Sequence, residues 1–330
     1  VIGLVWTMLR RDDVVVLAWL TLLPLVGYFV LPKIGITLLY NARLLPYWYF
    51  GMYVFAGIAL GLAAVEIGRR FPLRRSVTIG LSLGAGFIVL VASILSIHDV
   101  PGWVKWNFEG YEGKADYAEY RTLMETVDTL PPGRIMWEAN SEMNKYGTPM
   151  ALMLFPYWSE GHPSMEGLFF ESSLTTPFHF LNASEVSERP SNPVRGLDYR
   201  GFNMERGIAH LAVYNVAYYV SFTDAGADAA RVAGLVEVGT APPWHIFAMP
   251  PSDLVDIATI EPAVWAGGGD FLDPALEWYD DVENLDHWLV EDGPQEWERV
   301  ETVEERLLSV DAYDVSGAVT DVVAEDHRIS

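Results

Sequence analysis

Three long apolar runs in the first hundred positions limit what this chain can fold into more than any other feature. The runs cover 14–32, 46–67 and 76–97, and the one charged residue among them, Glu66, lies at the end of the second run. A helix needs about 20 apolar residues to cross the hydrocarbon core of a bilayer. We therefore predict three transmembrane helices rather than three buried helices of a soluble protein.

Charge divides the chain at the end of these runs. Residues 1–100 hold eight Lys/Arg and four Asp/Glu, whereas residues 101–330 hold 13 Lys/Arg and 40 Asp/Glu, a net charge of −27. Nucleic-acid binding needs clustered cations that displace counterions from phosphates, so the sequence argues against a nucleic-acid partner. The acidic surface is also compatible with a high-salt habitat, because net charge reports solubility before function.

The positions of the cations predict the orientation. Lys33 and Arg43 lie on one side of the predicted spans. Six arginines share the other side: Arg10, Arg11, Arg69, Arg70, Arg74 and Arg75. Because short loops rich in Lys and Arg stay in the cytoplasm, we expect a multi-pass plasma-membrane protein whose chain is extracytoplasmic from about position 98. Residues 1–9 are apolar but too short to span, and the chain does not begin with Met, so we expect a fragment that lacks earlier spans.

The sequence after position 100 has the alternating periodicities of a globular α/β domain. A predicted helix at 116–129 precedes the strand "RIMW", and a helix at 203–216 precedes "AYYVSF", an Ala-rich helix and the strands "LVEVG" and "HIFAM". We expect a membrane region at 1–100 that belongs to a larger polytopic bundle, then an extracytoplasmic α/β (α+β) domain at 101–262. An acidic, Trp-rich segment at 263–330 leads into a truncated β region, where the final "HRIS" is expected to be a strand without a partner.

No standard catalytic or cofactor motif is present in the sequence. The chain has no cysteine, which excludes disulfides, thiolate nucleophiles and Cys-based zinc sites. Its seven histidines do not pair at helical spacing, so surface or hydrogen-bonded core histidines are favoured over a metal site. No cofactor is identifiable, and a divalent metal is left open.

The loop "YNARLLPYWY" between the first two predicted spans is one candidate binding site. Arg43 offers a planar guanidinium for the phosphate of a lipid-linked substrate, Asn41 can add a hydrogen bond, and Trp48 completes the candidate set. In the alternative interpretation, Arg43 snorkels to lipid headgroups within an ordinary aromatic belt.

The segment 156–202 is the second candidate site. It is predicted to be a long binding loop, because it is aromatic and rich in turn residues. Carboxylates, histidines and aromatic rings occur in it among apolar neighbours: Glu166, Glu171, His162, His179, Trp158 and Phe178. The carboxylates and histidines can serve acid/base chemistry or bind sugar hydroxyls, and the rings can stack on a sugar. The alternative is structural packing, with carboxylates that cap turns.

Five segments of the chain together resemble one family: "NARLLPYWYF", "YGTPMALMLFPYW", "SMEGLFFESSLTTPFHFLNASE", "HLAVYNVAYYVSF" and "DPALEWYDD". They are similar to large actinobacterial polytopic membrane proteins that bear a 6-pyruvoyl-tetrahydropterin synthase-related name, and the similarity covers nearly the whole chain. Those proteins look like members of the GT-C glycosyltransferase superfamily. The resemblance implies a transferase that takes its sugar from a polyprenyl-phosphate lipid and assembles cell-envelope glycan at the outer face of the plasma membrane.

The resemblance assigns no catalytic base, because the acidic residue of that superfamily typically lies in a first outer loop that this chain lacks. We expect the full-length protein to be a glycosyltransferase and the isolated 330 residues to be inactive. Arg43 would then contact the donor phosphate, while the outer domain binds the acceptor glycan or steadies active-site loops. The alternative is a non-catalytic membrane protein whose acidic domain binds envelope glycan or a partner protein. A transporter subunit is disfavoured, since no charged residue lies mid-span.

Overall fold

The structure is a computed structural model. It describes residues 15–34, 41–70, 75–96, 99–165, 175–194, 196–253, 255, 257–308, 324–325 and 328–329. The chain divides into two compact units, Val1–Trp103 and Val104–Ser330.

The first unit contains three long helices, and their length and composition confirm the predicted membrane spans. They are α1 (Val15–Val30), α2 (Leu45–Arg70) and α3 (Arg75–Ser96). Two 3₁₀ turns, Leu31–Ile34 and Asn41–Leu44, follow α1 and precede α2. The second helix continues past its apolar run and ends on two arginines, because cations are favourable at the negative end of a helix dipole.

Small side chains hold α1 and α2 close together. Gly51 of α2 lies against Thr21 of α1 so closely that a Cβ atom at position 51 would be 2.0 Å from the Thr21 Oγ1 atom. The Thr21 hydroxyl donates within its own helix to the Leu17 carbonyl oxygen over 2.8 Å, which satisfies the polar group without water. Ala18 and Phe55 are also buried in this unit. In lipid the hydrophobic effect does not drive helices together, so close packing across small residues stabilises the contact instead.

A four-stranded mixed sheet forms the centre of the second unit. Its strands are β1 (Arg134–Trp137), β2 (Val216–Ser221), β3 (Val236–Ala241) and β4 (Trp244–Ala248). They lie in the order β1-β2-β4-β3; β1 and β2 are parallel, and β4 runs antiparallel to both of its neighbours. These strands coincide with the four apolar segments predicted from the sequence.

Helices surround this sheet and complete two cores. They are α5 (Tyr117–Val127), α6 (Phe155–Trp158), α7 (Thr176–Glu185), α8 (Met204–Val213) and α9 (Asp224–Val232). The preceding helix α4 (Asp99–Phe108) contributes no described residue to either core. One core includes residues of α5 and the strand residues Ile135 and Trp137, and the other includes residues of α8 and α9 together with Met136. This alternation along β1 is the two-residue period of a strand that is buried on both faces. Asn203 and Thr223 cap α8 and α9, each accepting a backbone N–H.

The C-terminal part of the second unit has a small sheet of its own. It contains β5 (Ala263–Trp265), β6 (Leu289–Val290) and β7 (Arg299–Val300), all parallel in the order β6-β5-β7, with α10 (Leu272–Tyr279) and α11 (Val303–Leu308). The predicted lack of a partner for the last strand is wrong. Strand β9 (Arg328–Ile329) pairs antiparallel with β8 (Ala324–Glu325), since two short segments this near in sequence can close a hairpin.

Candidate functional site

The predicted phosphate-binding loop lies in the 3₁₀ turn that leads into α2. Arg43 is the third residue of this turn and is exposed, and Trp48 is half-buried one turn into α2. Asn41 begins the same turn, but its side chain lies outside the described part of the chain. The three predicted residues are therefore near one another in the chain, at one end of the first two helices.

An apolar cavity of about 600 Å³ lies between α1 and α2. Its lining combines both helices and the turns beside them: Leu17, Leu20, Thr21, Leu23, Pro24, Gly27, Leu31, Leu44, Tyr47, Phe50 and Gly51. Tyr47 and Phe50 are 63% and 67% exposed, so the cavity is a groove that is open on the outer surface of the helix pair. Because Leu17 and Gly27 are ten residues apart on α1, the groove follows about 15 Å of that helix.

Arg43 is next in the chain to a residue that lines this groove, although it is not a lining residue itself. It immediately precedes Leu44, which lines the groove beside Gly27: a Cβ atom on that glycine would be 2.9 Å from the Leu44 Cδ1 atom. A cation that is next in the chain to the lining of an apolar groove suits an amphiphile that carries an anionic head on a hydrocarbon tail. A guanidinium binds phosphate through two parallel N–H donors, which a lysine cannot reproduce.

In its described residues, 156–165, 175–194 and 196–202, the second predicted site is not a long open loop. The segment contains the short helix α6 and all of α7, and every residue from His179 to Glu185 is buried. Phe178 packs edge-on against Tyr279 with ring centroids 4.9 Å apart, and Trp158 packs against the core that includes Tyr120. Both rings are partly buried and pack against core residues, which agrees with the alternative interpretation of structural packing. Glu166 and Glu171 lie outside the described residues.

His162 takes part in a hydrogen-bonded core group. Its Nδ1 atom is 2.9 Å from the Ser159 Oγ atom, and its Nε2 atom is 3.1 Å from the Pro131 carbonyl oxygen. The Ser159 hydroxyl also lies 3.2 Å from an oxygen of the exposed Asp128. Serine, histidine and aspartate are the residue types of a hydrolase triad, but Ser159 is fully buried and sits between the other two, so it cannot reach a substrate.

A buried polar network connects three helices and was not predicted from the sequence. The His210 Nδ1 atom is 2.7 Å from a Glu185 carboxylate oxygen, and its Nε2 atom is 2.7 Å from the Tyr279 carbonyl oxygen. Tyr279 stacks on the His210 ring at 3.9 Å and donates its hydroxyl to the Asn182 side-chain oxygen over 2.7 Å. The His210 and Glu185 side chains are each 2% exposed. Because these side chains are buried and cannot contact a substrate from solvent, the network has a structural role.

A second buried carboxylate, Glu138, follows β1 and was also missed. Its oxygens accept the backbone N–H groups of Phe222 and Thr223 at 2.8 and 2.9 Å and the Thr223 hydroxyl at 2.7 Å. Gly226 in the first turn of α9 allows this approach, because a Cβ atom there would be 2.4 Å from the Glu138 Oε2 atom. The carboxylate thus holds the end of β1 to the start of α9, where the helix dipole favours negative charge.

A partly exposed network joins α9 to the β3–β4 pair. Glu237 accepts from the His245 Nδ1 atom at 2.7 Å, from the Thr240 hydroxyl at 2.8 Å and from Arg231 at 2.9 Å. Chiefly through the His245 hydrogen bond, and then through those of Arg231 and Thr240, this network lowers the pKa of Glu237 to about 2. Glu119 is a second exposed carboxyl with a lowered pKa, mainly because Lys145 donates to it over 2.6 Å.

The lowered pKa of Glu237 predicts that this residue contributes to the stability of the fold in a pH-dependent way. The ionised carboxylate stabilises the fold above its unfolded-state pKa of 4.5, and that stabilisation disappears as the pH falls toward 2. Because solvent screens the network, we expect the Glu237→Gln variant to be less stable by about 1 kcal/mol at neutral pH. Thermal unfolding of the wild type and the variant, at neutral pH and then as the pH is lowered from 4.5 toward 2, tests the expectation. Glu125→Gln is the control, because it breaks the exposed pair with Arg121. If the stability difference between Glu237→Gln and the wild type does not shrink in acid, the expectation is contradicted.

The described residues contain no group of three or more His, Asp or Glu side chains that could hold a metal ion. No protein-family model, curated protein or solved structure matches the chain. Its function is therefore inferred from its own residues and their geometry.

Proposed function

We propose that this chain is the C-terminal part of a membrane-embedded GT-C-like glycosyltransferase that uses a polyprenyl-phosphate-linked sugar for cell-envelope glycan assembly. The observation that carries the proposal is that Arg43 immediately precedes Leu44, a residue that lines the apolar groove between α1 and α2. In this proposal the groove receives the first isoprene units of the donor lipid, and the Arg43 guanidinium binds its phosphate.

The orientation in this proposal follows from the cation count of the short loops, which puts Arg43 at the outer face of the plasma membrane. The acidic α/β domain would be on the same side and would bind the acceptor glycan. Because the net charge of this domain is negative, it repels polyanions, so a neutral sugar chain is the better-suited acceptor.

Photo-crosslinking of a polyprenyl-phosphate sugar to the protein in native membranes tests the proposal. We expect labelling to fall about tenfold in Arg43→Ala, since loss of a charged hydrogen bond costs about 1.5–3 kcal/mol. Arg43→Lys should give an intermediate result, because an ammonium cannot bind phosphate bidentately. Lys33→Ala is the matched control, since Lys33 is also exposed in a 3₁₀ turn on the same predicted side of the membrane.

A shorter-chain analogue of the probe separates the contribution of the groove from that of the arginine. Weaker labelling by the short analogue is expected if the hydrocarbon occupies the groove. Equal labelling of wild type and Arg43→Ala would remove Arg43 from the site and leave it a snorkelling anchor.

The second candidate function is a non-catalytic protein whose acidic domain binds envelope glycan or a partner protein. One observation favours it: the buried carboxylates Glu138 and Glu185 are both engaged by structural partners in the described part of the domain. Absence of labelling by the polyprenyl-phosphate probe in wild type as well as in the variants would support this function over the transferase.

A further inference from the structure

Helix α4 begins very close to the end of a membrane span. The third span ends with α3 at Ser96, and α4 starts at Asp99. A chain covers at most about 3.5 Å per residue, so three residues place the start of α4 within roughly 10 Å of the end of α3. Chain continuity therefore keeps the start of α4 near the end of the third span.

One face of α4 is held by its own domain. Trp106 is half-buried, and the Lys114 ammonium lies 4.1 Å from the centroid of its ring. The same ammonium donates to the Trp106 carbonyl oxygen and, over 3.1 Å, to a Glu109 carboxylate oxygen. These contacts fix the rotation of the helix about its axis, because they hold its Trp106 face against the turn that follows.

The opposite face of α4 is apolar and exposed. At 100° per residue, the direction opposite Trp106 carries Pro101, Val104 and Phe108. Phe108 is 85% exposed and Val104 is 40% exposed. A phenylalanine ring with this much exposed surface is unfavourable in water by about 1.5–3 kcal/mol relative to its burial.

We propose that α4 is an interfacial membrane anchor whose Pro101, Val104 and Phe108 face contacts the lipid bilayer. The occupant of this face is identified by its continuity with the membrane span, and by its composition of apolar and aromatic residues. Residues 101–330 carry a net charge of −27, so attraction to anionic lipid cannot hold the helix, and apolar insertion must do so. The anchor limits how far the start of the acidic domain can move from the bilayer. This inference does not depend on the proposed transferase activity.

The absence of cysteine makes a site-specific test possible. Phe108→Cys and Val104→Cys variants of the whole chain, each labelled with a solvent-sensitive fluorophore, are reconstituted into phosphatidylcholine vesicles. Val232→Cys is the matched control, because Val232 is 87% exposed and lies at the end of α9, 136 positions after the last residue of α3. Quenching by spin-labelled lipid and quenching by aqueous iodide are then compared for each label.

We expect lipid-borne quenching at positions 104 and 108 to exceed that at 232 by at least about twofold, with weaker iodide quenching, because interfacial helices insert their apolar face about 5–10 Å into the bilayer. Adding salt should leave this result unchanged. Iodide quenching at 104 and 108 equal to that at 232 would overturn the proposal. Protection of these labels from both quenchers would also overturn it, since a protein surface rather than lipid would then cover the face.

Discussion

Replacing His210 with phenylalanine is expected to destabilise the α/β domain by about 2–6 kcal/mol, because it leaves two buried polar groups without a partner and each costs about 1–3 kcal/mol. The phenyl ring keeps the stacking on Tyr279, but it leaves the Glu185 carboxylate and the Tyr279 carbonyl oxygen without their hydrogen-bond donor. Chemical unfolding followed by circular dichroism measures the loss.

His245→Phe is a closely matched control for this experiment. His245 also places its Nδ1 atom 2.7 Å from a glutamate oxygen, but the His245 and Glu237 side chains are 24% and 29% exposed. Water can solvate that carboxylate after the substitution, so we expect a loss of about 1 kcal/mol or less. Equal losses in His210→Phe and His245→Phe would show that burial does not set the strength of the pair.

A second variant, Glu185→Gln, separates the requirement for charge from the requirement for hydrogen bonding. Each ring nitrogen of His210 lies within hydrogen-bond distance of an oxygen atom, one on Glu185 and one on Tyr279. A glutamine amide can donate to the Nδ1 atom of a neutral imidazole, while the Nε2 N–H group donates to the Tyr279 carbonyl oxygen. We therefore expect Glu185→Gln to be much less destabilising than His210→Phe, because the amide allows both ring nitrogens of His210 to keep a hydrogen-bond partner.

The second large effect is expected in the membrane unit. A Gly51→Leu substitution puts a Cβ atom 2.0 Å from the Thr21 Oγ1 atom and 2.7 Å from its Cβ atom, which no rotation of the leucine can relieve. The helices α1 and α2 must move apart, at a cost of about 1–3 kcal/mol or more for overpacking. Unfolding in mixed micelles, as the fraction of a denaturing detergent is raised, measures this loss of stability. We expect Gly51→Ala to lose less stability than Gly51→Leu.

Gly57→Leu provides the control in the same helix. A Cβ atom at Gly57 has no neighbour within 4 Å, so the substitution leaves the helix contact intact and replaces glycine with a better helix former. We expect its stability to equal or exceed that of the wild type. If both leucine variants lose stability equally, the contact between Gly51 and Thr21 does not hold the helix pair together.

The membrane helices could be predicted because lipid imposes a simple rule. A spanning segment must be about 20 residues long and nearly free of charge, and both properties are visible in the sequence. The helices and strands around the main sheet could be predicted from their periodicity, as shown by "RIMW", which became β1, and by Asn203, which caps α8. The orientation across the membrane stays a prediction from the cation count.

Helix α7 shows why the segment 156–202 was misinterpreted. Seven consecutive residues of this helix, from His179 to Glu185, are buried, so it lacks the alternation of polar and apolar faces by which a surface helix is recognised. Its aromatic and polar composition is equally typical of a binding loop. Burial on all sides is decided by the elements that pack around the helix, among them α8 and α10.

For the candidate sites, the sequence by itself determined which residue types were present and that Arg43 follows a membrane span. Only the tertiary structure could show that the next residue, Leu44, lines a groove, because a groove exists only where two helices pack. The same holds for Glu185 with His210, which are 25 positions apart, and for Glu138 with Thr223, which are 85 positions apart. Local periodicity reports which face of an element is buried, but contacts over such separations depend on how the chain packs in three dimensions.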